Sequence, residues 1–161
     1  MLNFVPVLMA NAALLHIIQV AIVFILKNHT TMEFTQSVKS VFSKYATFSG
    51  RASRSEYWYF VLFNIIASIA LFLLGIAIGA AVGGSDGAMG GLIVGYILYV
   101  IYGLGVLIPS LAVTVRRLHD TNNSGWLILI GLIPCIGGIV LLVLTILQGT
   151  NGENKYGDIP E

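Results

Sequence analysis

The sequence has few charged residues, and this scarcity indicates its class. Asp, Glu, Lys and Arg make up 9% of the 161 residues, whereas hydrophobic residues make up 57%. An ordinary soluble domain carries roughly 25% charged residues, so the chain is predicted to lie in a membrane. The 8 basic and 7 acidic residues leave a formal net charge of +1, and no basic stripe indicates a nucleic-acid partner.

Groups suited to catalysis or metal binding are also scarce. The chain has 3 His and 1 Cys, and Cys135 has neither a second Cys for a disulfide nor a ligand at metal-binding spacing. His119 and Asp120 are adjacent, and neighbours on a helix point about 100° apart. They are therefore not expected to act as a base and its orienting carboxylate, and no catalytic residue, metal site or cofactor is predicted.

Four long runs contain no Asp, Glu, Lys or Arg: residues 1–26, 57–85, 87–115 and 121–152. Each exceeds the roughly 20 residues that a helix needs to cross a bilayer. We predict an all-α, polytopic helical membrane protein with three core transmembrane helices, near residues 57–82, 92–115 and 126–147.

Basic residues beside short loops stay in the cytoplasm, and here they precede the first core span and follow the second. This places residues 33–56 and 116–123 in the cytoplasm and Asp86 outside. The tail, residues 149–161, is outside if the third span crosses once. It returns to the cytoplasm if the region 134–138, with its proline and two glycines, makes that segment re-entrant.

The first apolar run has two interpretations. No charged residue precedes Lys27, which argues against a cleaved signal peptide. Residues 1–31 are either an extra helix, which would be a fourth span with Met1 outside, or an over-extended start before Met32. The chain is thus divided into residues 1–31, a cytoplasmic amphipathic segment at 32–56, and a transmembrane helical domain with a polar tail at 57–161.

Residues 34–48 carry apolar side chains three and four positions apart, at Phe34, Val38, Val41, Phe42, Tyr45 and Phe48. This spacing predicts a short amphipathic helix. The helix either lies in the headgroup interface with Lys39 and Lys44 toward anionic lipid, or packs on the cytoplasmic ends of the spans.

Glycine recurs every fourth residue on both sides of the turn at 83–87, at Gly75, Gly79 and Gly83 and at Gly87, Gly91 and Gly95. Small residues at this spacing let helices in lipid approach closely. We expect the two ladders to face each other in a tight hairpin. The alternative is that one ladder forms a homodimer face, and a packing surface is favoured over a channel lining.

Two charged segments, residues 48–58 and 116–126, border the spans on the predicted cytoplasmic side. Each ends in an aromatic residue typical of an interfacial anchor. Their four arginines, here called the Arg collar, are Arg51, Arg54, Arg116 and Arg117. An unpaired carboxylate at the mouth of the bilayer is costly, so Glu56 is expected to pair with Arg116 or Arg117. The remaining positive charges are predicted to bind lipid phosphate or another anion.

Residues of both segments and of the tail resemble a known family. They are Phe48, Gly50, Arg51, Arg54, Glu56, Tyr57 and Trp58, then Arg116, Arg117, Leu118, His119, Asp120, Ser124, Gly125 and Trp126, then Gly149, Gly152, Asn154, Lys155, Tyr156, Gly157 and Pro160. From about Met32 onward the chain resembles small bacterial inner-membrane proteins of the YhaH and YhaI type, whose function is unknown. Asn122 stands where that family often has glycine. The resemblance implies a multi-pass inner-membrane protein and assigns no role to the motif His119, Asp120, Ser124, Gly125 and Trp126.

These observations favour a non-enzymatic inner-membrane component that binds anionic lipid or a partner protein through the Arg collar. The alternative is a small oligomeric channel or transporter subunit. A secondary transporter normally keeps an ionisable residue inside its spans, whereas here the span interiors offer hydroxyl and amide groups such as Ser68 and Asn64. The expected partners are membrane lipids and a second copy or another membrane protein, and not nucleic acid.

Overall fold

The computed structural model describes residues 33–82, 87–134 and 136–160. Its helices are α1 at Phe34–Ser43, α2 at Arg54–Val82, α3 at Gly87–Asp120, a 3-10 helix at Gly125–Leu132 and α4 at Gly137–Ile146. The described residues form no strand beyond an isolated bridge between Asn154 and Gly157. The predicted all-α class is confirmed, and the two interpretations of residues 1–31 lie outside the described residues.

Two helices in the described part of the chain are long and apolar enough to cross a bilayer, Arg54–Ala81 in α2 and Met89–Asp120 in α3. Apolar side chains are exposed along both, as expected of surfaces that face lipid rather than water. The first two predicted core spans are therefore present as continuous helices.

Glycine residues bring α2 and α3 into direct backbone contact. A Cβ added at Gly75 would lie 2.2 Å from Cα of Gly95, and a Cβ at Gly79 would lie 2.3 Å from Cα of Gly91. No side chain fits in these spaces, so the two backbones pack against each other. The facing ladders are confirmed at these positions, whereas Gly83 lies outside the described residues.

The third predicted span is not one helix. After Leu132 the chain turns, and α4 begins at Gly137. Gly137 N donates to the carbonyl of Ile133 at 3.0 Å, and a Cβ at Gly137 would lie 1.9 Å from the carbonyl oxygen of Ile130. The glycine thus lets α4 fold back against the 3-10 helix. The described residues contain two continuous helices of spanning length rather than three, and the break expected near residues 134–138 is confirmed.

Both ends of this helical hairpin lie beside the C-terminus of α3. Arg117 Nε donates to the carbonyl of Thr145, near the end of α4, at 2.9 Å. Thr150 N donates to the carbonyl of Asp120 at 2.9 Å, and the 3-10 helix begins at Gly125. The 3-10 helix therefore begins, and α4 ends, beside the same end of α3, as in the re-entrant alternative. The tail lies at this end, which also carries the Arg collar.

The apolar stripe of α1 packs on the first turns of α2. The Phe42 ring contacts the rings of Phe60 and Phe63, with centroids 5.6 and 5.8 Å apart, and Val41 is fully buried. Of the two alternatives for this segment, packing against the ends of the spans is the one that the contacts show.

The amphipathic helix is shorter than predicted. It ends at Ser43, and a turn follows in place of a helix to residue 48. Tyr45, just past the helix, donates from its hydroxyl to the carbonyl of Gly105 in α3. Lys39 and Lys44 are exposed, so the basic side of α1 faces away from the packed helices.

Candidate functional site

Glu56 lies in the first turn of α2 and faces α3. Its Oε1 accepts hydrogen bonds from Arg116 Nη1 at 2.9 Å and from Ser40 Oγ of α1 at 3.0 Å. Glu56 and Arg116 are 2% and 1% exposed. Because a carboxylate removed from water needs a charged or hydrogen-bonded partner, these contacts join three helices at one oxygen.

Asp120, the last residue of α3, contacts two other arginines. Its Oδ1 lies 2.9 Å from Arg51 Nε and 2.8 Å from Arg51 Nη2, and its Oδ2 accepts from Arg117 Nη1. All three side chains are buried. One carboxylate thus lies between two guanidinium groups, which also need acceptors from elsewhere.

Backbone carbonyls of the C-terminal region supply those acceptors. Arg51 donates from Nη1 to Gly152 at 2.7 Å and from Nη2 to Thr150 at 2.8 Å. Arg117 donates to the carbonyls of Thr145 and Leu147 at the end of α4. The last carbonyls of a helix have no partner within it, so Arg117 acts as a C-terminal cap for α4. Arg51 thus binds the tail, and Arg117 binds the end of α4, to the rest of the protein.

Five side chains form what we call the buried cluster: Arg51, Glu56, Arg116, Arg117 and Asp120. Three guanidinium groups and two carboxylates leave one surplus positive charge. Within the described residues, Arg116 Nε and Nη2 and the hydroxyl of Ser37 are buried without a hydrogen-bond partner. Because it has one more guanidinium group than carboxylates, the cluster carries a net positive charge at this end of the molecule.

The structure brings three members of the Arg collar together and leaves the fourth outside. Arg51, Arg116 and Arg117 are 7%, 1% and 0% exposed, and they donate to protein acceptors. Arg54, the first residue of α2, is exposed. Of the four arginines predicted to bind phosphate, Arg54 is the one whose side chain is exposed.

His119 lies at the edge of the buried cluster and does not belong to it. Its Nδ1 is 3.1 Å from the carbonyl oxygen of Gly50, and its ring stacks on Tyr156 with centroids 3.7 Å apart and planes 7° apart. Asp120, next in sequence, points to Arg51 and Arg117 instead. The two side chains make different contacts because neighbouring residues on a helix point about 100° apart.

The rest of the motif shapes the start of the 3-10 helix. Ser124 caps it by accepting from the Trp126 backbone N–H at 3.4 Å. A Cβ at Gly125 would lie 2.7 Å from Val115 Cγ1, so only glycine lets the chain approach α3 here. Asn122 has φ 59°, a conformation that glycine adopts freely and asparagine tolerates. The glycine that the resemblance leads us to expect at this position would adopt the same conformation without strain.

Sequence reasoning did not connect the tail with the buried cluster. The tail needs residues that form turns, because Gly152 and Gly157 have φ of 91° and 121°. These turns point the carbonyls of both glycines toward Arg51. A Cβ at Gly149 would lie 2.1 Å from Asp120 Oδ2. The glycine spacing was the available signal, but it does not say which side chain the carbonyls face.

Metal binding receives no support from the described residues, which contain no group of three His, Cys, Asp or Glu placed to hold an ion. Cys135 lies outside them.

Comparison with known proteins covers all five residues of the buried cluster. Residues 45–158 match the model of a family described as a protein of unknown function, DUF805. The chain is 43% identical over 121 residues to the inner membrane protein YhaH of Escherichia coli, which covers 75% of this chain and 93% of that protein. It is 39% identical over 122 residues to the inner membrane protein YhaI of the same organism, covering 76% and 92%. No solved structure matches the chain.

Proposed function

This chain belongs to the DUF805 family of proteins of unknown function, and on that premise we propose that it is a non-enzymatic, multi-pass protein of the bacterial inner membrane that binds anionic lipid headgroups at the end carrying the buried cluster. The location is supported by the names of its relatives and by the two helices of spanning length. The observation that supports lipid binding is the segregation of charge along the molecule.

Every charged side chain in the described residues lies in or beside α1, at or beside the cluster end of α2 and α3, or in the tail. Seven are basic, namely Lys39, Lys44, Arg51, Arg54, Arg116, Arg117 and Lys155, and five are acidic, namely Glu33, Glu56, Asp120, Glu153 and Asp158. Seven minus five leaves a net charge of +2. Anionic lipid in the cytoplasmic leaflet attracts basic groups by about 1 kcal/mol each near the surface, so this end is suited to bind it.

Helix length supports a position of the buried cluster at headgroup depth. α2 and α3 have 29 and 34 residues, which span about 43 and 51 Å at 1.5 Å per residue. The hydrocarbon core is about 30 Å thick, so about 13 Å or more of each helix extends beyond it. Charged groups avoid the core, and the excess therefore belongs at the end that holds Glu56 and Arg116.

In this proposal the arginines have two different roles. Arg51, Arg116 and Arg117 hold the helices and the tail together, and their surplus charge adds to the positive potential of this end. Arg54 is exposed and contacts phosphate directly, because a guanidinium group can bind two phosphate oxygens at once. The exposed Lys39 of α1 and Lys44, which follows that helix, extend the same basic surface.

Native mass spectrometry of protein released from nanodiscs of mixed phosphatidylethanolamine and phosphatidylglycerol tests this proposal. Wild-type protein should retain phosphatidylglycerol above its share in the disc, and Arg54→Gln should reduce that enrichment. Adding Lys39→Gln and Lys44→Gln should remove most of it. Glu153→Gln, which neutralises an exposed acidic residue of the tail, is the matched control and should not reduce enrichment. Retention of lipids in proportion to the disc composition would refute the proposal.

A channel subunit is the second candidate, and one feature favours it. A cavity of about 460 Å³ between α2 and α3 is lined in part by polar side chains, among them Asn64, Ser68 and Thr114. Asn64 and Thr114 bond to carbonyls of their own helices, at 2.7 Å in each case, so the lining is only weakly polar. Solute flux through liposomes that contain the protein would favour this candidate over the first.

A further inference from the structure

A cavity of about 520 Å³ lies beside the buried cluster, between α3, the start of the 3-10 helix and the tail. Its walls include His119, Ser124, Trp126 and Tyr156, with Val115 and Ile128 on the apolar side. These residues come from three separate parts of the chain, and four of them belong to the segments shared with similar proteins. The cavity thus gathers the motif residues that the buried cluster does not use.

One wall presents a fixed hydrogen-bond acceptor. A carbonyl can only accept, so the His119 contact with Gly50 requires the proton on Nδ1. In neutral histidine the other nitrogen, Nε2, then has a free lone pair. Nε2 lies beside Gly125, where an added Cβ would be 3.1 Å away, and Gly125 also lines the cavity. Stacking on Tyr156 holds the ring, and with it the acceptor, in place.

Positive charge lies next to the same wall. Lys155 is exposed, and its Nζ is 5.0 Å from the centroid of the Tyr156 ring. The buried cluster, with its surplus positive charge, includes Asp120, the residue that follows His119. A cationic ligand group would be repelled here, whereas a phosphate would be attracted. An acceptor beside positive charge suits a ligand with both a hydroxyl donor and an anionic group.

The remaining surfaces indicate a lipid. Trp126 is 79% exposed at the start of the apolar hairpin, and an exposed tryptophan is typical of the interface between headgroups and hydrocarbon. Val115 and Ile128 continue the cavity with apolar surface toward the spans. A molecule bound here has a polar group near His119 and an apolar part along the helices.

We propose that this cavity binds the headgroup of a hydroxyl-bearing anionic phospholipid, in which a headgroup hydroxyl donates to His119 Nε2 and the phosphodiester pairs with Lys155. Ser124 Oγ, which accepts from Trp126 N, keeps its own proton to donate to a headgroup oxygen. An acyl chain contacts Val115 and Ile128. The inference rests on the proposed function and deepens it by naming a second contact site and the class of headgroup.

Trp126 is a built-in reporter for this site. The chain has two tryptophans, so Trp58→Phe leaves Trp126 as the single emitter. We would reconstitute this protein in phosphatidylcholine vesicles that contain a small fraction of brominated phosphatidylglycerol, phosphatidic acid or phosphatidylethanolamine, and measure quenching. Phosphatidic acid has the anionic phosphate without a hydroxyl-bearing headgroup, and phosphatidylethanolamine has an ammonium in place of the hydroxyls.

Brominated phosphatidylglycerol is expected to quench Trp126 at about fivefold lower concentration than phosphatidic acid, the factor that one hydrogen bond supplies. His119→Phe, which keeps an aromatic ring against Tyr156, should abolish that preference. Lys155→Gln alters only an exposed side chain and should weaken quenching by both anionic lipids. Emission of each variant in phosphatidylcholine alone checks that it is folded.

Two other results would overturn the inference. Equal quenching by phosphatidylglycerol and phosphatidic acid, both unaffected by His119→Phe, would show that the cavity does not distinguish the two headgroups. Equal quenching by all three lipids would show that Trp126 meets only bulk lipid. In either case, enrichment of phosphatidylglycerol that depends on Arg54 in the nanodisc experiment would leave the proposed function standing, so the two failures are distinguishable.

Discussion

Arg116 Nη1 lies 2.9 Å from Glu56 Oε1, and this contact joins α3 to α2 where both side chains are shielded from water. Ser40 of α1 donates to the same oxygen at 3.0 Å. Toward the other end of the helix pair, Gly79 and Gly91 hold α2 and α3 together by direct backbone contact. The helix pair is therefore held by an ion pair at one end and by close backbone packing between glycines toward the other.

Glu56→Gln should destabilise the protein strongly. The change leaves Arg116 buried without a counter-charge, and breaking a buried ion pair in this way costs about 3–5 kcal/mol. Thermal unfolding in detergent, followed by size-exclusion chromatography of the surviving folded fraction, measures the effect. Glu33→Gln removes an exposed carboxylate before α1 and should change little. Similar small shifts for both variants would contradict the role given to this pair.

Gly149→Ala should disrupt the contact between the tail and α3. Its Cβ would lie 2.1 Å from Asp120 Oδ2, so the Asp120 carboxylate would have to leave Arg51 and Arg117. We expect faster proteolysis of the tail and a lower unfolding temperature. Gly138→Ala is the matched control, because nothing lies within 4 Å of a Cβ there and alanine favours a helix. If the control were the more damaging change, the geometry described for Asp120 would be wrong.

Gly79→Ala should separate α2 from α3. The added Cβ would lie 2.3 Å from backbone atoms of Gly91. Because backbone cannot move aside as a side chain can, the free energy of unfolding should fall by about 1–3 kcal/mol, as is typical of overpacking. The same unfolding assay would detect it. Gly90→Ala adds a Cβ with nothing within 4 Å and should leave stability near that of the wild type. Tolerance of both changes would contradict the close approach of the two helices.

A reporter fused to the C-terminus should remain in the cytoplasm. The hairpin of the 3-10 helix and α4 returns to the end of α3 where it began, which places the tail on the side of Arg54. A C-terminal green fluorescent protein should fluoresce, and alkaline phosphatase at the same position should be inactive. A truncated fusion after residue 82, at the end of α2, should show the reverse. An active C-terminal phosphatase would mean that the third apolar segment crosses the membrane.

Sequence alone predicted the parts of the fold that depend on local spacing. The uninterrupted apolar runs predicted α2 and α3, and the positions of Val41 and Phe42, three and four residues after Val38, predicted the face of α1 that packs on α2. The glycine ladder predicted the contact of Gly75 with Gly95, because no other residue type permits it. In each case the deciding residues are a few positions apart or belong to one repeated pattern.

The rest depended on long-range contacts with no local signal. An apolar run of the same composition can form one span or fold back on itself, and the outcome here depends on Gly137 fitting against Ile130. The sequence left Arg116 and Arg117 as alternative partners of Glu56. The structure places only Arg116 there, because Arg117 is rotated by about 100° toward Asp120 and α4.

The separation of Arg51 from its acceptors has a consequence for the order of events during synthesis. Thr150 and Gly152 follow Arg51 by 99 and 101 residues, so their carbonyls leave the ribosome well after Arg51 has been made. Until then Arg51 lacks these acceptors, and an arginine that flanks an apolar segment favours retention of that flank in the cytoplasm. We therefore expect the same side chain to act first as a topology signal and later, once Thr150 and Gly152 have been made, as the group that binds the tail.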